Sequence, residues 1–323
     1  MPYAVLPPGL AADFVATPAS EGDAQDIRDL FDLLVAQRTS FLGYCTLTVE
    51  DVRSWLAEPE GFQALAVIVR DRAGGPVAYY SASLEPEATW VYSAVVGHPR
   101  LAPSDLDALV DHGWEQLLAW ACNTAPDPAA LTVRGSRLMA DEASHDRLAR
   151  HGFTHRRTLW EMSGAVPPDA VEPTPAPGVA IVEPPDPRHL HAVLMAAFAD
   201  HFGFDQLGFD AWLAFERCMP GHDESLWSVA TVEGVPAAAL VLSWRLVDDG
   251  GLYVGELATL AEFRRRGLGT LLLQHAFARA RREGLDHVSL HVDSENTYDA
   301  PSLYRAVGLE VTHALAIYTR PLV

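Results

Sequence analysis

The sequence predicts an α+β fold of two similar domains, each a mixed, mostly antiparallel sheet flanked by helices. Two observations predict it. A proline-rich stretch at 164–178 divides the chain near its middle, and the segments on either side run through the same order of elements. Within each segment, neighbouring strands are joined by short glycine turns, which favours antiparallel hairpins over a doubly wound parallel sheet. The predicted division is 1–163, a linker over 164–178, and 179–323. Each segment is long enough to enclose a core of its own.

In the first segment the apolar spacing predicts helices at 26–37 and 49–56 and strands at 64–70 and 77–84 around Gly74-Gly75. A strand at 90–96, a long helix at 104–122, a strand at 130–133, a short helix at 144–151 and a strand at 157–162 follow. The second segment repeats the series. It has helices at 187–199 and 208–217, strands at 227–232 and 237–246 around Glu233-Gly234, and a strand at 252–260. A long helix at 267–283, a strand at 287–292, a short helix at 301–307 and a strand at 314–319 complete it. A repeat of this length signals duplicated domains rather than a solenoid. Between them, Pro167, Pro168, Pro173, Pro175 and Pro177 exclude a helix or a central strand, so the stretch reads as a semi-rigid linker.

Hydrophobic residues make up 49% and charged residues 20% of the 323, as expected of a globular protein without a membrane span. The formal net charge of −20 argues against a nucleic-acid groove or an anionic membrane surface, since both need a basic face. It mildly favours a cationic small molecule. Cys45, Cys122 and Cys218 are odd in number and far apart, giving neither a metal spacing nor a disulfide framework. A reducing, cytoplasmic location and no metal are expected. The N-terminal residues lack the basic region of a secretory signal.

The residues that carry chemistry lie in the second segment. Arg264-Arg265-Arg266-Gly267-Leu268-Gly269-Thr270 follows a predicted strand and opens a helix whose apolar face is Leu271, Leu272, Leu273, Phe277 and Ala280. A helix start presents unpaired N–H groups and partial positive charge, and glycines let a ligand approach the backbone. That suits a pyrophosphate. A solvated charge run is the plainer reading of the seven residues alone; the strand–helix context favours the anion site.

The stretch from Leu257 to Leu273 resembles the acyl-CoA-binding motif of the GNAT superfamily of acetyltransferases, R/Q-x-x-G-x-G/A, at Arg264, Gly267 and Gly269. Ala261 stands where the family often has Pro. The run from His291 to Asn296, followed by Leu303-Tyr304 and Gly308-Leu309, resembles the family's second signature. The duplicated organisation is similar to tandem members such as mycothiol synthase, in which the C-terminal domain is generally catalytic. Asp200-His201-Phe202-Gly203 resembles a recurrent Asp-His-Trp-Gly stretch of those members.

The resemblance implies two tandem GNAT-like domains and acetyl-CoA, or another acyl-CoA, as co-substrate. It implies transfer to a primary amine of a small molecule by direct attack. Backbone from Arg265 to Thr270 and the charge of Arg264, Arg265 and Arg266 would hold the pyrophosphate. Leu257, Ala258 and Thr259 would pair with pantetheine amides where their strand splays from its neighbour, and Asn296 would contact CoA or end its strand. Tyr304 is expected to protonate the leaving sulfur; the alternative is a tyrosine that packs its helix. Glu256 is the candidate base, with recognition of a cationic acceptor, or a solvent-facing carboxylate, as alternatives. His291 is a further candidate base. Asp299 reads as the N-cap of the last helix, with Pro301 in its first turn.

The first segment lacks the same features together. Aligned on Pro99, the arginine and two glycines correspond to Ala102, Asp105 and Asp107; aligned on Gly152, Tyr304 and Asn296 correspond to Leu148 and Ala140. Two carboxylates would repel a pyrophosphate. Ser104 with Asp107 reads instead as a capped helix start. A degenerate domain with a structural or regulatory role is expected, in a monomer or homodimer. Two other functions fit the sequence: a non-catalytic acyl-CoA-binding regulatory or scaffold protein, and acylation of a protein amine.

Overall fold

The computed structural model describes residues 2–57, 62–84, 89–201, 204, 206–295, 298 and 300–323. The chain divides into two units, Met1–Thr158 with Ala314–Val323, and Leu159–His313. Among the described residues no helix is long and apolar enough to cross a membrane.

Unit 1 begins with α1 (Pro8–Ala11), β1 (Phe14–Pro18), α2 (Ala24–Leu42) and α3 (Val49–Leu56). Local chemistry sets two of these starts: Asp23 accepts from the N–H of Gln25, and Thr48 with Asp51 forms a reciprocal capping box. Next come β2 (Gln63–Asp71), β3 (Pro76–Leu84), β4 (Trp90–Gly97), α4 (Pro103–Thr124), β5 (Thr132–Leu138) and α5 (Glu142–Arg150). The strand β6 (Thr154–Ala165) carries the chain out of the unit. Pairing is antiparallel along β1-β2-β3-β4 and parallel between β4 and β5.

Unit 2 contains β7 (Val179–Val182), α6 (Pro187–Phe198), α7 (Phe209–Cys218), β8 (Ser228–Val232) and β9 (Val235–Ser243). There follow β10 (Gly251–Thr259), α8 (Leu268–Arg282), β11 (His287–Asp293), α9 (Ala300–Ala306) and β12 (Glu310–Pro321), which carries the chain back into unit 1. The unit 2 sheet is antiparallel through β7-β8-β9-β10 and parallel between β10 and β11. Strand order and sense match those of unit 1, as the sequence repeat predicts.

The boundaries differ from the expected ones at each segment's last strand. Residues 159–165 pair antiparallel with β11 and belong to unit 2, while 315–321 pair antiparallel with β5 and belong to unit 1. The reason is the repeat itself: two sheets of the same order offer equivalent edges, so either last strand satisfies either edge. The proline-rich stretch, expected as a semi-rigid linker, is tied into unit 2. Its Val166 N–H donates to the carbonyl of Asp286, Arg281 donates to the carbonyl of Ala170, and Glu172 meets both His275 and Arg282 of α8.

The two faces of the unit 2 sheet are covered separately. Leu268, Leu272, Leu273, Ala276, Phe277 and Ala280 of α8 are buried against Leu240, Leu252, Val254, Val288 and Leu290. Leu271, expected on that face, is only half-buried; Leu268 takes its place. On the other face Leu190, Val193 and Leu194 of α6 and Trp212 of α7 cover Val229, Ala239, Val241 and Ala258. Each such aliphatic side chain contributes about 1.5–3 kcal/mol of transfer free energy. The functional features lie where these layers end.

Candidate active site

Strand β10 supplies two features by one irregularity. Its register against β9 runs Tyr253↔Ser243, Val254↔Leu242 and then Glu256↔Val241, so Gly255 is an extra residue, a β-bulge. Leu252 and Val254 face α8, and without the bulge Glu256 would follow them. The extra residue turns Glu256 and Ala258 toward α6 and α7 and returns Leu257 to the α8 side. Beyond Val254↔Leu290 the parallel pairing with β11 also stops, while β11 continues against β6 to Asp293↔Leu159. The strands splay there, and 256–259 pair with β9 alone. Leu257 and Ala258 thus lie on an open strand edge. The Thr259 carbonyl accepts from Nε of Arg264 at 3.1 Å.

The splayed strand runs directly into the arginine–glycine stretch. Arg265 is left-handed at φ 63°, and Gly267, the residue before α8, is left-handed at φ 78°. Two such residues around Arg266 curl the backbone into a concavity ahead of the helix. No side chain caps this helix start, and the first intrahelical bond is Leu271 N–H to the Gly267 carbonyl. The N–H groups of Leu268, Gly269 and Thr270 therefore have no intrahelical acceptor. A Cβ on Gly267 would meet nothing within 4 Å, so the space above it is open.

Gly269 is small for a different reason. A Cβ there would stand 3.0 Å from Cδ2 of Leu303 on α9, so this glycine lets α9 approach α8. Gly269→Val is expected to cost about 1–3 kcal/mol in chemical denaturation, with Gly269→Ala costing less because the Leu303 tip can give way.

The three arginines divide their duties. Arg264 is half-buried, with Cζ 3.8 Å from the ring centroid of Tyr298, whose hydroxyl donates to Asp200 at 2.8 Å. His201 stacks on the same ring with centroids 6.0 Å apart. Two residues of the Asp200-His201 stretch thereby help to fix Arg264, whose guanidinium ties the loop to β10. Arg266 reaches the Glu262 carbonyl at 3.3 Å. Arg265 and Arg266 are both exposed beside the concavity. Asn296 and Asp299, and Phe202 and Gly203, lie outside the described residues.

Glu256 carries the strongest electrostatic signal. Its Oε2 is buried and has no hydrogen-bond partner among the described residues. Burial pushes its pKa well above the carboxylate range, and the charge of Glu216 pushes further the same way. Glu216, on α7, is itself raised by burial, with Trp212 beside it opposing part of the shift. Such a pair holds one proton readily and gives up the last with difficulty. Nothing in the sequence singles out Glu216; α7 brings it to Glu256 only when Trp212 packs toward Ala258.

Tyr304 is 7% exposed on α9 and packs in the same apolar cluster as Leu268 and Leu272 at the start of α8. Burial pushes its hydroxyl up to about 12, so it stays protonated at neutral pH. His291 is engaged at both ring nitrogens, with Tyr253 at 3.0 Å and Glu161 at 3.2 Å. That leaves it poorly placed as a lone base.

The corresponding place in unit 1 is built differently. Parallel pairing of β4 with β5 also stops early, at Ser93↔Gly135. There Arg137 fills the gap, donating at 2.6 Å to both the Val95 and Ser136 carbonyls. Burial pulls its guanidinium down to about 10, with Asp141 opposing, so it remains charged at neutral pH. Beside it lies a cavity of about 730 Å³ lined by Phe41, Trp55, Val96, Leu106 and Trp114. Helix α4 starts at Pro103 rather than at a Ser104 cap, and Asp107 pairs with Arg147 at 2.6 Å instead of closing a capping box. No left-handed residue precedes it. The cradle geometry of unit 2 is absent among these described residues.

Residues 190–309 match the model of the acetyltransferase (GNAT) family. Over 98% of this chain and 97% of the other, the fold is similar to a GCN5-related N-acetyltransferase from Sphaerobacter thermophilus, with 24% identity and a TM-score of 0.77. A tandem GNAT protein from the clavulanic acid biosynthesis pathway is 15% identical with a TM-score of 0.74, covering 96% of this chain and 99% of its own. Saccharomyces cerevisiae N-myristoyltransferase with bound myristoyl-CoA is 12% identical with a TM-score of 0.58, covering 95% of this chain and 79% of its own. Members of the family use an acyl-CoA co-substrate and act on amine acceptors. Residues 190–309 of unit 2 thus match the GNAT acetyltransferase family, and nearly the whole chain has a fold similar to GNAT proteins, a tandem member among them.

Proposed function

We propose that this protein transfers an acyl group, acetyl in the simplest case, from acyl-CoA to a primary amine of a small molecule, with unit 2 as the catalytic unit. The observation that carries the proposal is the adjacency of a splayed strand, a left-handed concavity and an uncapped helix start. Its N–H groups from Arg265 to Thr270 suit a pyrophosphate, where hydrogen bonds to a charged group are worth about 1.5–3 kcal/mol each. Arg265 and Arg266 add charge; Arg264 acts by holding the loop. The open edge at Leu257 and Ala258 pairs with pantetheine amides. The role given to Asn296 remains contact with CoA.

An alkylammonium with a pKa of about 10.4 must lose a proton before its nitrogen can attack. Glu256, kept basic by burial and by Glu216, accepts that proton. The neutral nitrogen attacks the thioester carbon; as the intermediate collapses the carbon–sulfur bond breaks, the nitrogen's second proton passes to water, and the sulfur leaves as a thiolate that water reprotonates. Tyr304 donates a hydrogen bond to the departing sulfur. Complete transfer from a phenol near 12 to a thiolate near 8.5 is uphill by about 5 kcal/mol, so the bond to sulfur, rather than a free proton, is the contribution. Two carboxylates at the site agree with a cationic acceptor, and a small-molecule amine is the reading adopted.

Native mass spectrometry with a panel of acyl-CoAs tests the site. Gly267→Asp places a carboxylate at the proposed pyrophosphate position, and aspartate tolerates the left-handed backbone better than most residues. Occupancy is expected to fall at least about tenfold. Unchanged occupancy places the ligand outside unit 2. Binding without turnover on any small amine removes the enzymatic reading or moves the acceptor to a protein.

A further inference from the structure

Unit 2 gathers three metal-ligating side chains from three strands. Glu161 lies on β6, His291 on β11 and His313 near the start of β12. Nε2 of His291 and Nε2 of His313 each stand 3.2 Å from Oε2 of Glu161. One ligand atom from each residue lies within 4.8 Å of the other two. Donors held about 2.1 Å from a common ion are separated by roughly 3–3.5 Å. The set is close to that spacing without any large movement.

The remaining ring nitrogens strengthen the case. Nδ1 of His291 is 3.0 Å from the Tyr253 hydroxyl, and Nδ1 of His313 is 3.5 Å from the Thr312 hydroxyl. Thr312 donates its own proton to the Glu161 carbonyl at 3.2 Å, which leaves its oxygen able to accept from Nδ1–H of His313. In that tautomer the Nε2 lone pair of His313 stands 3.2 Å from the Glu161 carboxylate. A metal ion between them satisfies both the lone pair and the carboxylate. Metal-bound histidines show this arrangement, with one nitrogen on the ion and the other donating to an oxygen. The side chains of His313 and Glu161 are 5% and 13% exposed and that of His291 is 23%, so the centre is shielded yet open on one side.

We propose that Glu161, His291 and His313 bind a divalent first-row metal ion of the zinc class, with Tyr253 accepting from Nδ1–H of His291. Two imidazoles and one carboxylate match the ligand preferences of such ions and leave at least one coordination position for water or a ligand atom. The expectation of no metal rested on spacing in the sequence, and these ligands share none because three separate strands supply them. Tyr253 and Glu256 face the same side of the sheet. The open position therefore lies on the acceptor side, a consequence that rests on the function proposed above, whereas metal binding does not.

The test uses full-length protein stripped with chelator, then titrated with Zn²⁺ by calorimetry and with Co²⁺ by visible absorption. The expected result is one ion per chain, with a Kd of about 1 μM or tighter and ligand-field bands from Co²⁺. His313→Ala and Glu161→Gln should each weaken binding at least about tenfold, and Tyr253→Phe by about 10–100-fold. His189→Ala, an exposed histidine on α6, should change nothing. Circular dichroism checks that each variant is folded; if His313→Ala is not, Glu161→Gln alone decides. Absence of one-to-one binding, or equal affinity in a folded Glu161→Gln, overturns the site. Neither result bears on whether Gly267→Asp lowers acyl-CoA occupancy.

Discussion

Glu256→Gln lowers kcat/KM for an amine acceptor by about 10²–10⁴-fold, the range expected when a general base is removed. In the wild type the acid limb of the pH profile lies above the usual carboxylate value of about 4.3, because burial first and Glu216 second disfavour the ionised form. Glu216→Gln removes the like charge and should move that limb to lower pH, with activity retained above it. Stability runs the other way. The folded pKa exceeds the unfolded one, so between the two values the native state binds more protons than the unfolded state. Stability therefore falls as pH rises through that window. Glu256→Gln removes the penalty and should melt at higher temperature than wild type at neutral pH and above. A variant that is more stable but inactive separates a catalytic duty from a structural one. Near-wild-type turnover in Glu256→Gln, or an acid limb unmoved in Glu216→Gln, removes Glu256 from the mechanism.

Tyr304→Phe lowers kcat by about a hundredfold or more while KM for acyl-CoA changes little, because the lost hydrogen bond matters when the sulfur departs. The phenol is held protonated by burial, up to about 12, so no activity limb near neutral pH belongs to it. The ring stays in the apolar cluster with Leu268 and Leu272, so stability should be nearly unchanged. Steady-state kinetics with a calorimetric melt distinguishes the two duties. Full activity in Tyr304→Phe makes the residue a packing tyrosine and leaves sulfur stabilisation to another group.

Much of the fold was legible from local patterns. The hairpins around Gly74-Gly75 and Glu233-Gly234 and the helix begun after Gly267 each depend on residues close in sequence. The two-domain repeat was legible as well, since both units carry the same strand order and sense. The exchange of last strands was not. Residues 159–165 and 315–321 have equivalent neighbours available in either sheet, and no local preference chooses between them.

The candidate site divides along the same line. Glycines, arginines and a strand–helix junction marked the concavity because its backbone conformation is set within a few residues. The motif singled out Arg264 but not its duty of holding the loop, which depends on Tyr298 arriving from beyond β11. Glu216 was invisible for a similar reason: a carboxylate on an amphipathic helix reads as a solvent-facing residue until α7 buries it. The Glu161, His291 and His313 cluster exists only as three strands laid side by side.

By itself, then, the sequence determined two α+β domains, a glycine-led, uncapped helix start in the second, and its absence from the first. Those features follow from backbone preference and hydrophobic period, which act over one or two turns or strand pairs. Only the tertiary structure decided which last strand completes which sheet, that a bulge at Gly255 turns Glu256 to the face of α7, and that Glu216 meets it there. Burial and charge coupling act between surfaces brought together by folding, and proximity in space is what the linear order does not contain.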